Sequence, residues 1–138
     1  FMKTKALFLL ALVFLTFSSQ SMAKQSQKVA FLVRQTNHLK AAILTLEQMR
    51  KGKFPINYDS AVIVVCGGKG VNALKKESSM SRELFKSTPK NVEVKACGIT
   101  LKKMNLKKEH LHSNVVIVEN GLYEMIRLKT EGFISVDL

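Results

Sequence analysis

Five short apolar runs, separated by stretches with helical spacing, constrain this chain more than any other feature. They are Val29 to Val33, Ser60 to Val65, Val92 to Ala96, Val115 to Val118 and Phe133 to Val136. Strands alternating with helices in this way are the pattern of a parallel sheet covered on both faces. The run Val92 to Ala96 alternates apolar and polar residues and is expected nearer an edge of the sheet. Val115 to Val118 is continuously apolar and is expected to be central.

The intervening stretches supply the helices. Leu39, Ala42, Ile43, Leu46 and Met49 recur at helical spacing, and Gly52 stands where that helix should stop. A second helical region is expected within Val71 to Lys86, broken near Ser78 and Ser79 and ended by Pro89. Leu101 to Leu111 reads as a weaker, lysine-rich helix. Asn120 is suited to cap a fourth, carrying Leu122, Met125 and Ile126 inward and ending at Gly132. Nothing divides this region, so the expected fold class is α/β: one three-layer α/β/α sandwich with a five-stranded parallel sheet.

Residues 1–23 have the three parts of a secretory signal peptide. Lys3 and Lys5 form a basic start, Ala6 to Phe17 an apolar run, and Ser21-Met22-Ala23 a small-residue cleavage site. The apolar run is shorter than the roughly 20 residues needed to span a bilayer. Cleavage after Ala23 would leave Lys24 to Leu138, a length for one domain, in the periplasm or outside the cell. The whole chain carries a net charge of +12, and two of its lysines lie in the leader. A surface of that sign attracts anions. Nucleic acid is not expected, since the chain has no nucleic-acid motif or row of aromatic stacking residues. An anionic membrane surface, an acidic partner or small sulfur oxyanions fit better. Met104 and Leu106 among Lys102, Lys103, Lys107 and Lys108 form a basic, partly apolar patch suited to such contacts.

The chemistry-bearing residues gather where strands end. Cys66 follows the second run and Cys97 the third, which places both at the carboxyl edge of the sheet, where open α/β folds keep their sites. Cys97 also stands just before a helical segment, whose amino-terminal partial charge favours thiolate over thiol. Three readings stay open for the pair: a structural bridge, a redox couple, or one reactive thiol with an incidental second. An oxidising compartment by itself favours the bridge. The turn Gly67-Gly68-Lys69-Gly70 leads from strand to helix and offers amides and a lysine to an anion, although it lacks the spacing of a phosphate-binding P-loop or a dinucleotide fingerprint. His38, at the start of the first helix, is a candidate for moving protons to or from a sulfur. The three histidines and two cysteines lack paired ligand spacing, so no metal is expected. No pair of carboxylates or Ser-His-Asp context points to a hydrolase.

In their order along the chain, several segments carry a likeness. They are Asn37-His38-Leu39-Lys40, Val64-Val65-Cys66-Gly67-Gly68, Ala96-Cys97-Gly98-Ile99-Thr100, and Gly121 with Ile126-Arg127-Leu128 before Glu131-Gly132-Phe133. Together they resemble the DsrE/DsrF-like family of sulfur-relay proteins, from Val29 to the carboxyl end. The resemblance implies a parallel five-stranded sandwich, homo-oligomeric assembly, and a cysteine, here Cys97, that carries a persulfide between a sulfur donor and an acceptor without any cofactor. Cys66 and His38 would complete its surroundings, with the Gly67 to Gly70 turn. Two departures stand out: Cys66 occupies a position where many relatives have histidine, and the characterised relays work in the cytoplasm whereas this chain carries a leader. A noncatalytic periplasmic binding or assembly module, with structural or incidental cysteines, is the alternative expectation.

Overall fold

A computed structural model describes residues 25–138; the expected leader lies outside the described residues. Strand β1 (Gln25–Val33) passes through helix α1 (Thr36–Arg50) to β2 (Ile56–Val65). Two short helices, α2 (Gly68–Asn72) and α3 (Ser79–Ser87), precede β3 (Val92–Cys97). Helix α4 (Gly98–Lys103) and a 3-10 turn (Lys108–His110) lead to β4 (Val115–Val118), and α5 (Gly121–Thr130) returns the chain to β5 (Ile134–Asp137). The five strands pair in parallel, in the order β4-β3-β2-β1-β5. The result is the expected three-layer α/β/α sandwich. None of the helices among the described residues is long and apolar enough to cross a membrane.

The strand order explains the uneven layers. From β1 to β4 the chain steps in one direction across the sheet, and right-handed crossovers then put α1 to α4 on one face. The step from β4 back past β1 to β5 reverses direction, so its helix, α5, lies on the opposite face. The two cores follow this division. Val29, Phe31, Val33, Ile63, Val65 and Val94 pack beneath α1 to α4. Ala30, Leu32, Val62, Val64, Cys66 and Cys97 pack with Met125 and Leu128 of α5.

Local sequence sets the element ends. At the end of α1 the chain turns at Gly52, with the N–H of Lys53 reaching back to the Gln48 carbonyl. The break expected near Ser78 is a cap: its hydroxyl accepts the Ser81 N–H and starts α3. Asn120 caps α5 through Oδ1, which accepts the N–H groups of Leu122 at 3.0 Å and Tyr123 at 3.2 Å.

Three expectations are corrected. Strand β4 is an edge strand and β3 an inner one. Only Val115 of β4 is buried in the main core, while Val116 and Ile117 are exposed; an unbroken apolar run therefore marks no central strand here. The helix expected over Leu101 to Leu111 ends at Lys103, where Asn105 takes a left-handed conformation and the chain continues to the 3-10 turn. In α5, Met125 points inward as expected, but Leu122 and Ile126 are 54% and 59% exposed. The inward positions belong instead to Gly121, Glu124, Met125 and Leu128. Glu124 is tolerated inside because Lys95, on the same face of β3, meets its carboxylate at 2.7 Å.

Candidate functional site

Cys66 and Cys97 come together at the carboxyl edge of the sheet. Val65 pairs with Ala96 in the β2-β3 register, so the two cysteines occupy the next position on neighbouring strands. Both side chains lie on the face covered by α5, and both are buried free thiols, 8% and 5% exposed.

The amino terminus of α5 closes over them. The Gly121 N–H donates to Cys97 Sγ at 3.2 Å. This approach requires glycine: a Cβ at position 121 would stand 2.5 Å from Cys66 Sγ, 3.0 Å from Cys97 Cβ and 3.1 Å from a Val64 methyl. Cys97 is also the residue that precedes helix α4, although its side chain takes no cap hydrogen bond there. Burial alone pushes the Cys97 thiol up, but the Thr100, Gly121 and Ile99 N–H groups and the Thr100 hydroxyl outweigh it and hold the thiol below its ordinary value. Cys66 goes the other way. Burial, reinforced by the neighbouring charge and hydrogen bond of Cys97, pushes it up to about 12, against a smaller opposing pull from Arg34. The proton is therefore held more tightly on Cys66 than on Cys97, whose sulfur is the more easily ionised of the two.

The Gly67 to Gly70 turn is linked to this site through Thr100. The Gly67 N–H donates to Thr100 Oγ1 at 3.1 Å, and the Thr100 hydroxyl in turn serves Cys97. Gly67 has φ +77, a left-handed conformation that starts α2 with little penalty only in glycine. At Gly70 a Cβ would lie 2.9 Å from a Val65 methyl and 3.1 Å from the Arg34 carbonyl carbon, so the helix start presses directly on the end of β1. Gly68 faces Met104, and Lys69 is exposed. Two of the three glycines and one amide of the turn thus serve strand-to-helix packing and the Thr100 link.

His38 lies on the first turn of α1, where its Nδ1 accepts the Arg34 N–H at 3.5 Å. Its recorded partner is thus the backbone at the end of β1. His110 and His112 lie just before β4, toward the opposite edge; His112 stacks on Phe85 with ring centroids 4.1 Å apart. Among the described residues, no three His, Cys, Asp or Glu side chains converge as a metal ion would need.

Thr100 and Gly121 stand in the segments that carry the likeness, but the sequence assigned neither a role at the site. Thr100 stands three positions after Cys97, where a side chain at a helix start can turn back to its cap residue; that spacing was the available signal. Gly121 carried the signal of a small residue after a capping asparagine but not its contact with the cysteines, because that depends on where α5 lands. A cavity of about 480 Å³, lined by Val118, Glu119, Asn120, Tyr123 and Glu124, lies beside this helix start.

No protein-family model matches the chain, and no curated protein does. Among solved structures, the chain is similar to MTH1491, a protein of unknown function from Methanobacterium thermoautotrophicum. The identity is 23%, the match covers 81% of this chain and 99% of that one, and the TM-score is 0.61. The likeness is one of fold.

Proposed function

We propose that this protein binds or transfers sulfane sulfur as a persulfide on Cys97, as an exported, DsrE-like chain. The observation that carries the reading is the Cys97 sulfur under the Gly121 amide, with a protonated thiol beside it. A thiolate is the nucleophile in sulfur exchange, and the Gly121 amide on the Cys97 sulfur favours it. Cys97 would attack the outer sulfur of a donor persulfide or polysulfide, forming a new S–S bond and releasing the donor thiolate or a polysulfide one sulfur shorter. An acceptor thiolate would then attack the outer sulfur of Cys97 and restore the cysteine. The Gly121 amide serves both the thiolate before attack and the same thiolate when it leaves. Assembly with further copies draws support from the apolar side chains left in solvent on β4 and α5.

A second reading, a noncatalytic binding or assembly module, is favoured by one observation: both sulfurs are buried in the apolar cluster under α5. Intact mass after exposure to inorganic polysulfide separates the two. The persulfide reading expects one added sulfur, mapped to Cys97 and removed by a thiol, and expects Cys97→Ser to lose loading while keeping its fold. Equal loading of that variant would sink the assignment.

A further inference from the structure

Two thiols in adjacent register can do more than hold a sulfur. Neighbouring strands lie about 4.8 Å apart, within the span of about 4.4 to 6.8 Å between Cα atoms that a disulfide bridges. Cys66 and Cys97 share a face and a cluster, and Gly121 leaves no side chain between them and the helix above. A nucleophile already in place needs no path from solvent, so the burial of Cys66 is no obstacle to an attack within the chain.

Building on the persulfide reading of Cys97, we propose that Cys66 resolves that persulfide, releasing its outer sulfur as hydrosulfide and leaving a Cys66–Cys97 disulfide. The Cys66 sulfur attacks the inner sulfur of Cys97. The bond between inner and outer sulfur breaks, and the outer sulfur leaves with the electron pair and the proton that Cys66 gives up. The sulfane sulfur is reduced by two electrons, and the two cysteines together are oxidised by two. A dithiol reductant then attacks the disulfide, is itself oxidised to a disulfide, and returns both cysteines to the reduced state. The cycle converts sulfane sulfur to sulfide at the expense of a dithiol, an outcome distinct from passing sulfur to an acceptor.

The test uses inorganic polysulfide as sulfur source, without oxygen, on the wild type and on Cys66→Ser, Cys66→Ala and Cys97→Ser, with dithiothreitol added as the dithiol only after sulfide release has been followed. After excess polysulfide is removed, free sulfide and intact mass are followed in time. The wild type should release one sulfide for each sulfur loaded and end two hydrogens lighter than the reduced chain, with a Cys66–Cys97 linkage in its peptides that dithiothreitol reverses. Cys66→Ser should hold its added sulfur about tenfold longer or more, and Cys97→Ser should not load. If the serine variant loses its circular dichroism spectrum, the alanine variant decides. A wild type that keeps its persulfide as long as the Cys66 variants overturns the resolving role and leaves the carrier reading standing. Failure of every chain to load overturns both. The peptide map of the wild type after sulfide release decides the matter even without a folded variant.

Discussion

At the scale of single residues, the contrast between two neighbouring thiols is the property to measure. Cys97 is held below its ordinary value by donors that outweigh its burial, and Cys66 is pushed up to about 12. The pH dependence of alkylation, read peptide by peptide, should place the midpoint for Cys97 below the free-cysteine value of about 8.5. Cys66 should stay nearly unreactive through the same range. Gly121→Ala should raise the Cys97 midpoint, since the new Cβ must displace either the helix start or Cys66. Crowding of that kind costs about 1 to 3 kcal/mol of stability, measurable by denaturant unfolding. An unchanged midpoint in a folded Gly121→Ala protein would remove the Gly121 amide from the account of the thiolate.

At the scale of elements, α5 is held over the cysteines by charge as well as by packing. Glu124 accepts from Lys95 of β3 and from Arg127 of its own helix, and these bonds hold its carboxyl at about 2. Arg127 gives the largest share of that shift; Lys95 is the partner that joins helix to sheet. A carboxylate held below its unfolded value of about 4.3 adds stability above that pH and loses it as the pH falls toward 2. Glu124→Gln should therefore cost about 2 to 3 kcal/mol near neutrality, below the roughly 3 to 5 kcal/mol that breaking a fully buried pair costs, because Arg127 is partly exposed and screened. The gap between wild type and variant should close between about pH 4.5 and 2; a gap that persists unchanged at pH 2 would mean that packing, not charge, holds the helix. The same element shows where sequence reading stopped. The carboxyl-edge positions of Cys66 and Cys97 were legible, because a strand followed by a helix start fixes them locally. So was the Asn120 cap. The inward face of α5 was not: helical spacing makes Leu122 and Ile126 as plausible inside as Met125. The choice was made by a charged pair between residues 29 positions apart in sequence. Edge placement of β4 was hidden for a similar reason, since strand order depends on the reversal of the crossover and not on the four residues of the strand.

At the scale of the whole molecule, a single helix among the described residues covers one face of the five-stranded sheet and leaves apolar side chains in solvent beside the site. Val116 on the edge strand, which pairs with Lys95 on the face that α5 covers, and Leu122, Tyr123 and Ile126 on α5 are all exposed. Apolar groups gathered in this way on an otherwise basic chain favour association, and a second copy is the expected partner. Net charge opposes that step, because like-charged copies repel, and salt weakens the repulsion. Sedimentation should therefore show association that strengthens from low to moderate salt, the reverse of what a charge-driven contact with an acidic partner would show. Ile126→Lys should shift the equilibrium toward the single chain. It should leave folding stability within about 0.5 kcal/mol, the usual range for a surface change away from the core. If the wild type stays a single chain at every salt and concentration tested, this surface does not bind a second copy. If Ile126→Lys associates as the wild type does, assembly uses another face, and the apolar groove of about 410 Å³ between α1 and β5, lined by Val29, Phe31, Met49, Ile134 and Val136, becomes the place to mutate next.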